Sequence, residues 1–522
     1  MFKKRKTFII IATLFVVMLA ACAGDSDVGG DGDGGSGDTT ASDRDTLIVG
    51  VSGNIVSLDL HGTNDNPSSQ VVSHIFETLV NQDENMELYP GLATEWRQID
   101  DRVWEFDLRE GVYFHNGEPL TAYDVYFTMH RAALSTHVDP ILGILDPSTI
   151  EVIDEHTVRI GTEEPFAPFL AHLAHSAAGI KNELAVDYYG DDVDQNPVGT
   201  GPYELYEWVV GDRVVIERFE NYHGDEPNIR EIIFRVIEDG QARYMALESG
   251  DADIILNPLP VDLDRLGADE NLVLLEVQGL STDYMGMNSN HPQLAIPEVR
   301  QAINYAINTE EMVLAVNEGH AYVASTFISP AVFGYSPYVE AYEYNVERAL
   351  ELMAEAGYAD GFDVNILTNS ESAVRNAYAE VIANQLQAIG INAEIRQLEW
   401  ASFLSELDAG EAEIFFLGWV AVTGDADYAL HPLFHTSSHG VGGNQTFFSN
   451  ERVDYLLDYA RTTVDEEARV AAYHEVQEIV REYAPWVVLH QANLFVGTRE
   501  NVRGVIMMPN QVHFFGNVYF AN

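Results

Sequence analysis

Apolar residues recur along this chain with two different periods, and the changes of period mark its elements. Thr46-Leu47-Ile48-Val49-Gly50-Val51 is a β-branched run that predicts a first strand. Trp104-Glu105-Phe106-Asp107-Leu108 alternates apolar and polar, as a half-buried strand does. Pro119 to Val125 opens a helix with Thr121 as its N-cap, and Glu151 to Ile160 predicts a hairpin turning near Asp154-Glu155. Helical spacing dominates the second half. Val299, Ala302, Ile303, Ala306 and Ile307 share one face, as do Ala379, Ile382, Ala383 and Leu386, which Gly390 follows as a stop signal. Ile391 to Ile395 alternates again as a strand. Val453, Leu456, Leu457 and Ala460 mark another amphipathic helix, and Glu467 to Tyr483 one more, ended by Pro485. Strands alternating with helices predict α/β lobes, and 522 residues are too many for one ordinary domain.

The N-terminus departs from this pattern. Lys3, Lys4, Arg5 and Lys6 precede an apolar run from Thr7 to Ala20 that is short for a membrane span, so the segment predicts an export signal, with an anchoring helix as the alternative. Leu19-Ala20-Ala21-Cys22 resembles a bacterial lipobox, which implies lipidation of Cys22, the only cysteine of the chain, and attachment to the outer face of a membrane. The Gly- and Asp-rich residues that follow cannot bury a core and predict a flexible tether.

Charge then excludes one class of partner. Setting the four leader cations aside leaves 23 basic against 83 acidic residues, an excess of 60 negative charges, so no basic face exists to neutralise nucleic-acid phosphate. Lys181 is the only lysine after the leader, and every other cation is arginine. A solvated acidic surface explains most of this excess, and a saline or alkaline exterior is the sharper explanation.

Ordered blocks bring in a family. Pro90-Gly91-Leu92-Ala93-Thr94-Glu95-Trp96, Trp104 to His115, Leu120 to Val125, Pro197-Val198-Gly199-Thr200-Gly201-Pro202-Tyr203, Val299 to Ile307 and Glu355 to Phe362 together resemble the dipeptide- and oligopeptide-binding family of ABC importer solute receptors, family 5. Each block also has a plain physical role. Trp96, Trp104 and Phe106 fit a core, Arg109 and His115 fit structural contacts, and Gly199, Gly201 and Pro202 fit a turn with special backbone angles. The resemblance runs from about Thr46 to near the C-terminus. It implies an α/β, two-lobed periplasmic-binding-protein-like clamp of type II, in the large peptide-binding class, with an extra inserted subdomain. The expected layout is a signal at 1–21, a tether at 22–45, lobe I from 46–74, 197–286 and 490–522, the subdomain at 75–196, and lobe II at 287–489. The chain is expected to cross between lobes near Met285-Gly286-Met287 and near His490-Gln491. An exported, lipid-anchored monomer that captures a peptide-like solute and hands it to the permease subunits of an ABC importer is implied, with no cofactor and no enzymatic activity.

Three stretches carry the ligand expectation. Residues 418–434, 64–70 and 171–175 resemble the corresponding stretches of glutathione-binding receptors in this family. In many of its dipeptide and oligopeptide receptors an aspartate three residues after the matching tryptophan binds the peptide ammonium; here that position is Val422, and Asp425 is the nearest acid. The ligand-binding residues implied are Asn64, Asp65, Ser69, Gln70, Arg375, Trp419, Thr423, Asp425, Asp427 and Tyr428, with Arg375 meeting a carboxylate. Asp425 and Asp427 could equally brace their loop, and Trp419 and Tyr428 could equally pack. Glutathione is the first candidate; a general di- or oligopeptide or a nickel complex is the alternative within the family, and a surface peptidase or adhesin the alternative outside it. No Gly-x-Ser-x-Gly elbow, phosphate loop, dinucleotide fingerprint or His-Glu-x-x-His occurs to anchor catalysis. His431, His435 and His439 recur every four residues, but Pro432, Ser437, Ser438 and Gly440 predict a loop there, and no metal is assigned.

The acidic excess yields a first prediction. Like charges more than about 8–10 Å apart are screened at physiological ionic strength and above, so the melting temperature is expected to rise from low to molar NaCl. A flat or falling melting temperature in a salt series contradicts it.

Overall fold

Elements form where the periodicity places them, because each buries the face the pattern marks. The computed structural model describes residues 44–63, 65–370, 372–440 and 443–521; the export signal, most of the tether, Cys22 and Asn64 lie outside the described residues. The strand Thr46–Val51, the strand Val103–Leu108, the hairpin of Glu151–Asp154 with Thr157–Gly161 and the helix Ala122–Ala132 all match the sequence reading. At that helix the Asp124 carboxylate accepts the Thr121 backbone N–H at 3.0 Å, a reciprocal cap. Helix Pro297–Ala306 buries Val299, Ala302, Ile303 and Ala306, each large aliphatic contributing about 1.5–3 kcal/mol when removed from water.

One eleven-stranded sheet runs through the described residues. On one side Thr46–Val51 pairs in parallel with Glu231–Val236 and Ile254–Leu256, and Arg213–Arg218 and Tyr203–Val209 extend the edge. On the other, Phe362–Asn369 pairs in parallel with Ile391–Leu398 and Ile414–Val420. Two long antiparallel strands, Leu272–Met287 and Trp486–Arg499, join the halves. Each half has its own core: Leu47, Ile75, Phe234 and Phe515 in the first, Met287, Ile303, Ile366 and Ile382 in the second. A separate four-stranded sheet, built from Ala93–Gln98, Val103–Leu108, Thr157–Gly161 and Glu151–Asp154, has a third core around Phe106, Phe114 and Val158.

Pairing of the two long strands is interrupted between Gln278 and Thr282, opposite Asn493 and Gln491. Met285 to Met287 lie beyond the break, in regular pairing with Ile414–Val420. A Cβ on Gly279 would sit 2.9 Å from the Ala492 carbonyl oxygen, so the strands can approach there only at glycine. At the break the Leu280 N–H donates to the Pro509 carbonyl (3.2 Å) and its carbonyl accepts the Ala421 N–H (3.1 Å).

Two details differ from the sequence reading. Gly199 and Gly201 are not required for left-handed backbone angles, since neither has a positive φ. They are required by close approach: a Cβ on either would fall within 2.0 and 2.6 Å of the carbonyl oxygens of Ile75 and His74. His115 closes this turn, with Nε2 3.0 Å from the Gly201 carbonyl and Nδ1 accepting the Gly199 N–H. The loop expected around His431 is instead the helix Asp427–Phe434, with Pro432 inside it. Proline removes the hydrogen bond to the carbonyl four residues back. That carbonyl, of Tyr428, is taken by the indole N–H of Trp419 at 2.9 Å, which is why the helix survives its proline.

Lys181 explains its own retention. Its ammonium is buried, 2.7 Å from Asp59, and Arg131 meets the same carboxylate at 2.9 Å. Burial works to raise the Asp59 carboxyl, but Arg131 and Lys181 outweigh it and hold it well below the ordinary carboxylate range. The cluster ties the subdomain, which supplies both cations, to the first half of the sheet. Lys181→Met is expected to cost about 3 kcal/mol of unfolding free energy, the low end for breaking a buried pair because Arg131 remains. Since Asp59 is held below its ordinary 3.8, the difference from wild type is present above that pH and shrinks as the pH falls below it. Urea titrations of both proteins across pH check this; equal stability at neutral pH contradicts it.

Candidate functional site

Five segments of the chain meet at one cavity of about 580 Å³. Helix Asn66–Ile75 forms the first wall. Asp65 caps it by accepting the Ser68 N–H at 2.9 Å, and Asn66, Ser69 and Ser73 face the space. The segment from Ile506 to Asn517 forms the second wall and is locked to the first. The Gln70 amide exchanges hydrogen bonds with the backbone of His513, and His74 Nε2 accepts the Phe515 N–H at 3.0 Å. Burial pushes the His74 imidazole down to about 4, so it serves as a neutral acceptor. Ala174, His175 and Ser176 supply a third wall, and Phe76 and the hairpin of Val80–Gln82 with Leu88–Pro90 a fourth. Val422 closes the cavity from the other half of the sheet.

The lining has a definite charge. Glu77, Asp83 and Glu84 face the cavity, and among the described residues neither lysine nor arginine does; Glu77 itself lies 3.0 Å from His223 Nε2 and accepts the Tyr222 hydroxyl at 3.2 Å. Tyr89 and Tyr222 register this field: burial first, then the nearby carboxylates, push both phenols up. The cavity therefore suits a ligand that brings an ammonium or hydrogen-bond donors to this wall. A second cavity of about 400 Å³, between Asn304, Tyr342 and Trp486, is reached by none of the three stretches.

The residues implied by the sequence take differing places. Ser69 lines the cavity. Asp65 is a helix cap that also accepts from Thr63, and Gln70 is spent on His513. Asp425 does not line the cavity. It is buried against Arg469 at 2.7 Å and Tyr473 at 3.4 Å, so no free carboxylate is left to meet an ammonium. Asp427 is held by two hydrogen bonds from Arg461, at 3.0 and 2.9 Å. Burial opposes its charge, and Arg461 outweighs burial and keeps the carboxyl below its ordinary value. Both acids brace the loop. Thr423 is fully buried, its hydroxyl accepting the Asp425 N–H and its carbonyl accepting the Gln82 amide at 2.8 Å. Trp419 and Tyr428 pack together at 5.8 Å, and Tyr428 also meets His172. Arg375 stands in the first turn of helix Ala373–Leu386 and is paired with Asp283 at 2.8 Å beside the strand break; a Cβ on Gly418 would strike this pair. Sequence reasoning missed the second wall and the acids at 77, 83 and 84. The alternation Ile506, Met508, Val512 and Phe514 was the available signal for the former.

The segment from the end of strand Ile414–Val420 to the start of helix Asp427–Phe434, together with helix Glu451–Thr462, touches the other half of the molecule at several points. Val422 and Tyr428 pack on the subdomain core, and the Ala167 N–H donates to the Arg461 carbonyl at 2.7 Å. The two halves are thus closed on each other around the cavity.

Comparison with known proteins agrees with this architecture. The profile of the bacterial extracellular solute-binding proteins, family 5, middle region, matches residues 87–440. The dipeptide-binding protein of Escherichia coli K12 is 29% identical over 460 residues, covering 83% of this chain and 86% of that one. The glutathione-binding protein GsiB of Salmonella typhi is 31% identical over 474 residues, covering 89% and 92%. Among solved structures, HbpA2 from Haemophilus parasuis superposes with a TM-score of 0.83 at 29% identity, covering 91% of this chain and 99% of that one. DppA from Helicobacter pylori in complex with the peptide STSA gives 0.77 at 28%, covering 91% and 98%. With its two α/β halves joined by paired strands and closed around one cavity, the chain belongs to the family 5 extracellular solute-binding proteins.

Proposed function

We propose that this protein is the exported, Cys22-lipidated receptor of an ABC importer and that it takes a short peptide, with glutathione as the first candidate, into the cavity of about 580 Å³. The observation that carries this reading is the convergence of residues 66–73, 174–176 and 422 on one cleft of the size that small ligands occupy. Relatives named for dipeptide and for glutathione binding stand at similar identity, 29% and 31%, so the comparisons support the peptide class and leave the choice to the site. Val422 favours glutathione. An α-peptide ammonium placed against valine loses its hydrogen bonds to water and gains none, whereas a γ-linked peptide carries its ammonium elsewhere. We assign that ammonium to Asp83 and Glu84 on this wall rather than to Asp425 or Glu77, which are already engaged by Arg469 and by His223. We keep the lobe layout expected from sequence as part of this proposal, except that we set the first crossing at the strand break between Gln278 and Thr282 instead of at Met285–Met287.

Calorimetry tests the ligand. Wild type is expected to bind glutathione and to bind dialanine at least tenfold more weakly. Val422→Asp is expected to strengthen dialanine binding by roughly ten- to a hundredfold, the worth of a charge-assisted bond of about 1.5–3 kcal/mol. Ser69→Trp, which fills the cavity, abolishes both. Wild type that binds dialanine and ignores glutathione rejects the γ-linked ligand; binding that survives Ser69→Trp rejects the cavity.

A further inference from the structure

Helix Asp427–Phe434 presents His431, and His435 follows as its C-cap one turn later. The two imidazoles lie parallel within 7°, their centroids 4.5 Å apart. Asp458, on the neighbouring helix Glu451–Thr462, brings Oδ1 to 3.7 Å from His431 Nε2 and 3.4 Å from His435 Nε2. The three donor atoms all lie within 4.8 Å of one another. Zinc holds nitrogen and oxygen ligands at about 2.0–2.2 Å with tetrahedral angles, which sets ligand atoms roughly 3.4 Å apart. We propose that His431, His435 and Asp458 form a binding site for a divalent transition-metal cation of the zinc class, stapling the two helices together.

The alternative employment, an ordinary ion pair, does not use these groups well. At 3.7 Å, His431 Nε2 and Asp458 Oδ1 stand too far apart for a direct hydrogen bond, so the pair as it stands is loose. The Nε2 atom of His435 is shielded from solvent and makes no hydrogen bond among the described residues. Its Nδ1 lies 2.6 Å from the Ser437 hydroxyl and 3.0 Å from the Ser437 N–H. Metal at Nε2 requires the proton on Nδ1, where that hydroxyl accepts it, as partners behind metal-bound imidazoles do. The displaced Ser437 N–H is at an exposed residue and can turn to water. Asp454, 3.9 Å from His435 Nε2, already accepts the Thr436 N–H, so water is the natural fourth ligand. His439, the third member of the sequence series, is turned away to the Phe448 carbonyl at 2.8 Å. The site has consequences beyond its helices. Arg461, one turn from Asp458, holds Asp427 and contacts Ala167 across the closed halves, so a bound cation stiffens the face on which they close.

Tag-free protein, stripped with chelator and returned to physiological salt with millimolar magnesium to occupy the acidic surface, is titrated with zinc. One zinc per chain at micromolar affinity or better is expected, with cobalt giving the visible bands of tetrahedral coordination. His431→Gln, His435→Gln and Asp458→Asn are each expected to weaken zinc by at least about tenfold, the loss that even outer partners of a metal cause. Asp458 is largely exposed, so its variant keeps the fold. Equal zinc affinity in wild type and all three variants, or no binding by wild type at micromolar zinc, overturns the proposal.

Discussion

The antiparallel pairing of Leu272–Met287 with Trp486–Arg499 turns two α/β sheets into one, and the interruption in that pairing decides what the molecule can do. Ladder pairing continues on each side, with a second register shift between Asp283 and Tyr284. Between Gln278 and Thr282 the ladder is broken, and Leu280 bonds instead to Pro509 and Ala421. Pro509 belongs to one wall of the cavity and Ala421 adjoins Val422, which closes it from the opposite half. A rotation at the break must therefore move one wall against the other, which is the geometry of hinge closure about a ligand. Tyr284 stacked on Trp486 at 3.4 Å packs the strands where regular pairing resumes, so the irregular stretch runs from Gln278 to Tyr284.

Buried ion pairs hold the remaining pieces in place. Asp59 receives Lys181 and Arg131, Asp425 receives Arg469, Asp427 receives Arg461, and, in a half-buried pair, Asp283 receives Arg375. In a chain with so large an acidic excess, few cations are present, and many stand where an acid is buried. This explains why strongly acidic composition coexists with an ordered interior: the uncompensated charge lies on the surface, where water and salt screen it.

Much of the fold was legible because periodicity is local. The run from Val299 to Ala306 and the face of Val453, Leu456, Leu457 and Ala460 buried as marked, since a helix needs only its own sequence to show its apolar stripe. The site was legible in part. The three stretches were recognisable as units, and they do meet. The individual roles were not, because they depend on partners far along the chain: Arg469 for Asp425, Asp283 for Arg375, His513 for Gln70. Pro432 misled for the same reason. Its helix is rescued by Trp419, whose indole no helical pattern could place beside the Tyr428 carbonyl.

Closure about the broken ladder is the claim on which the account rests, and a distance across the halves tests it. Cys22 is the only cysteine, so a mature chain with Cys22 replaced accepts labels at Leu134 and Tyr455, both exposed. Pulsed electron resonance between these labels is expected to show a long and a short distance without ligand, and to collapse to the short one when peptide saturates the cavity. A single distribution unchanged by saturating peptide would contradict hinge closure and leave the paired strands a rigid brace.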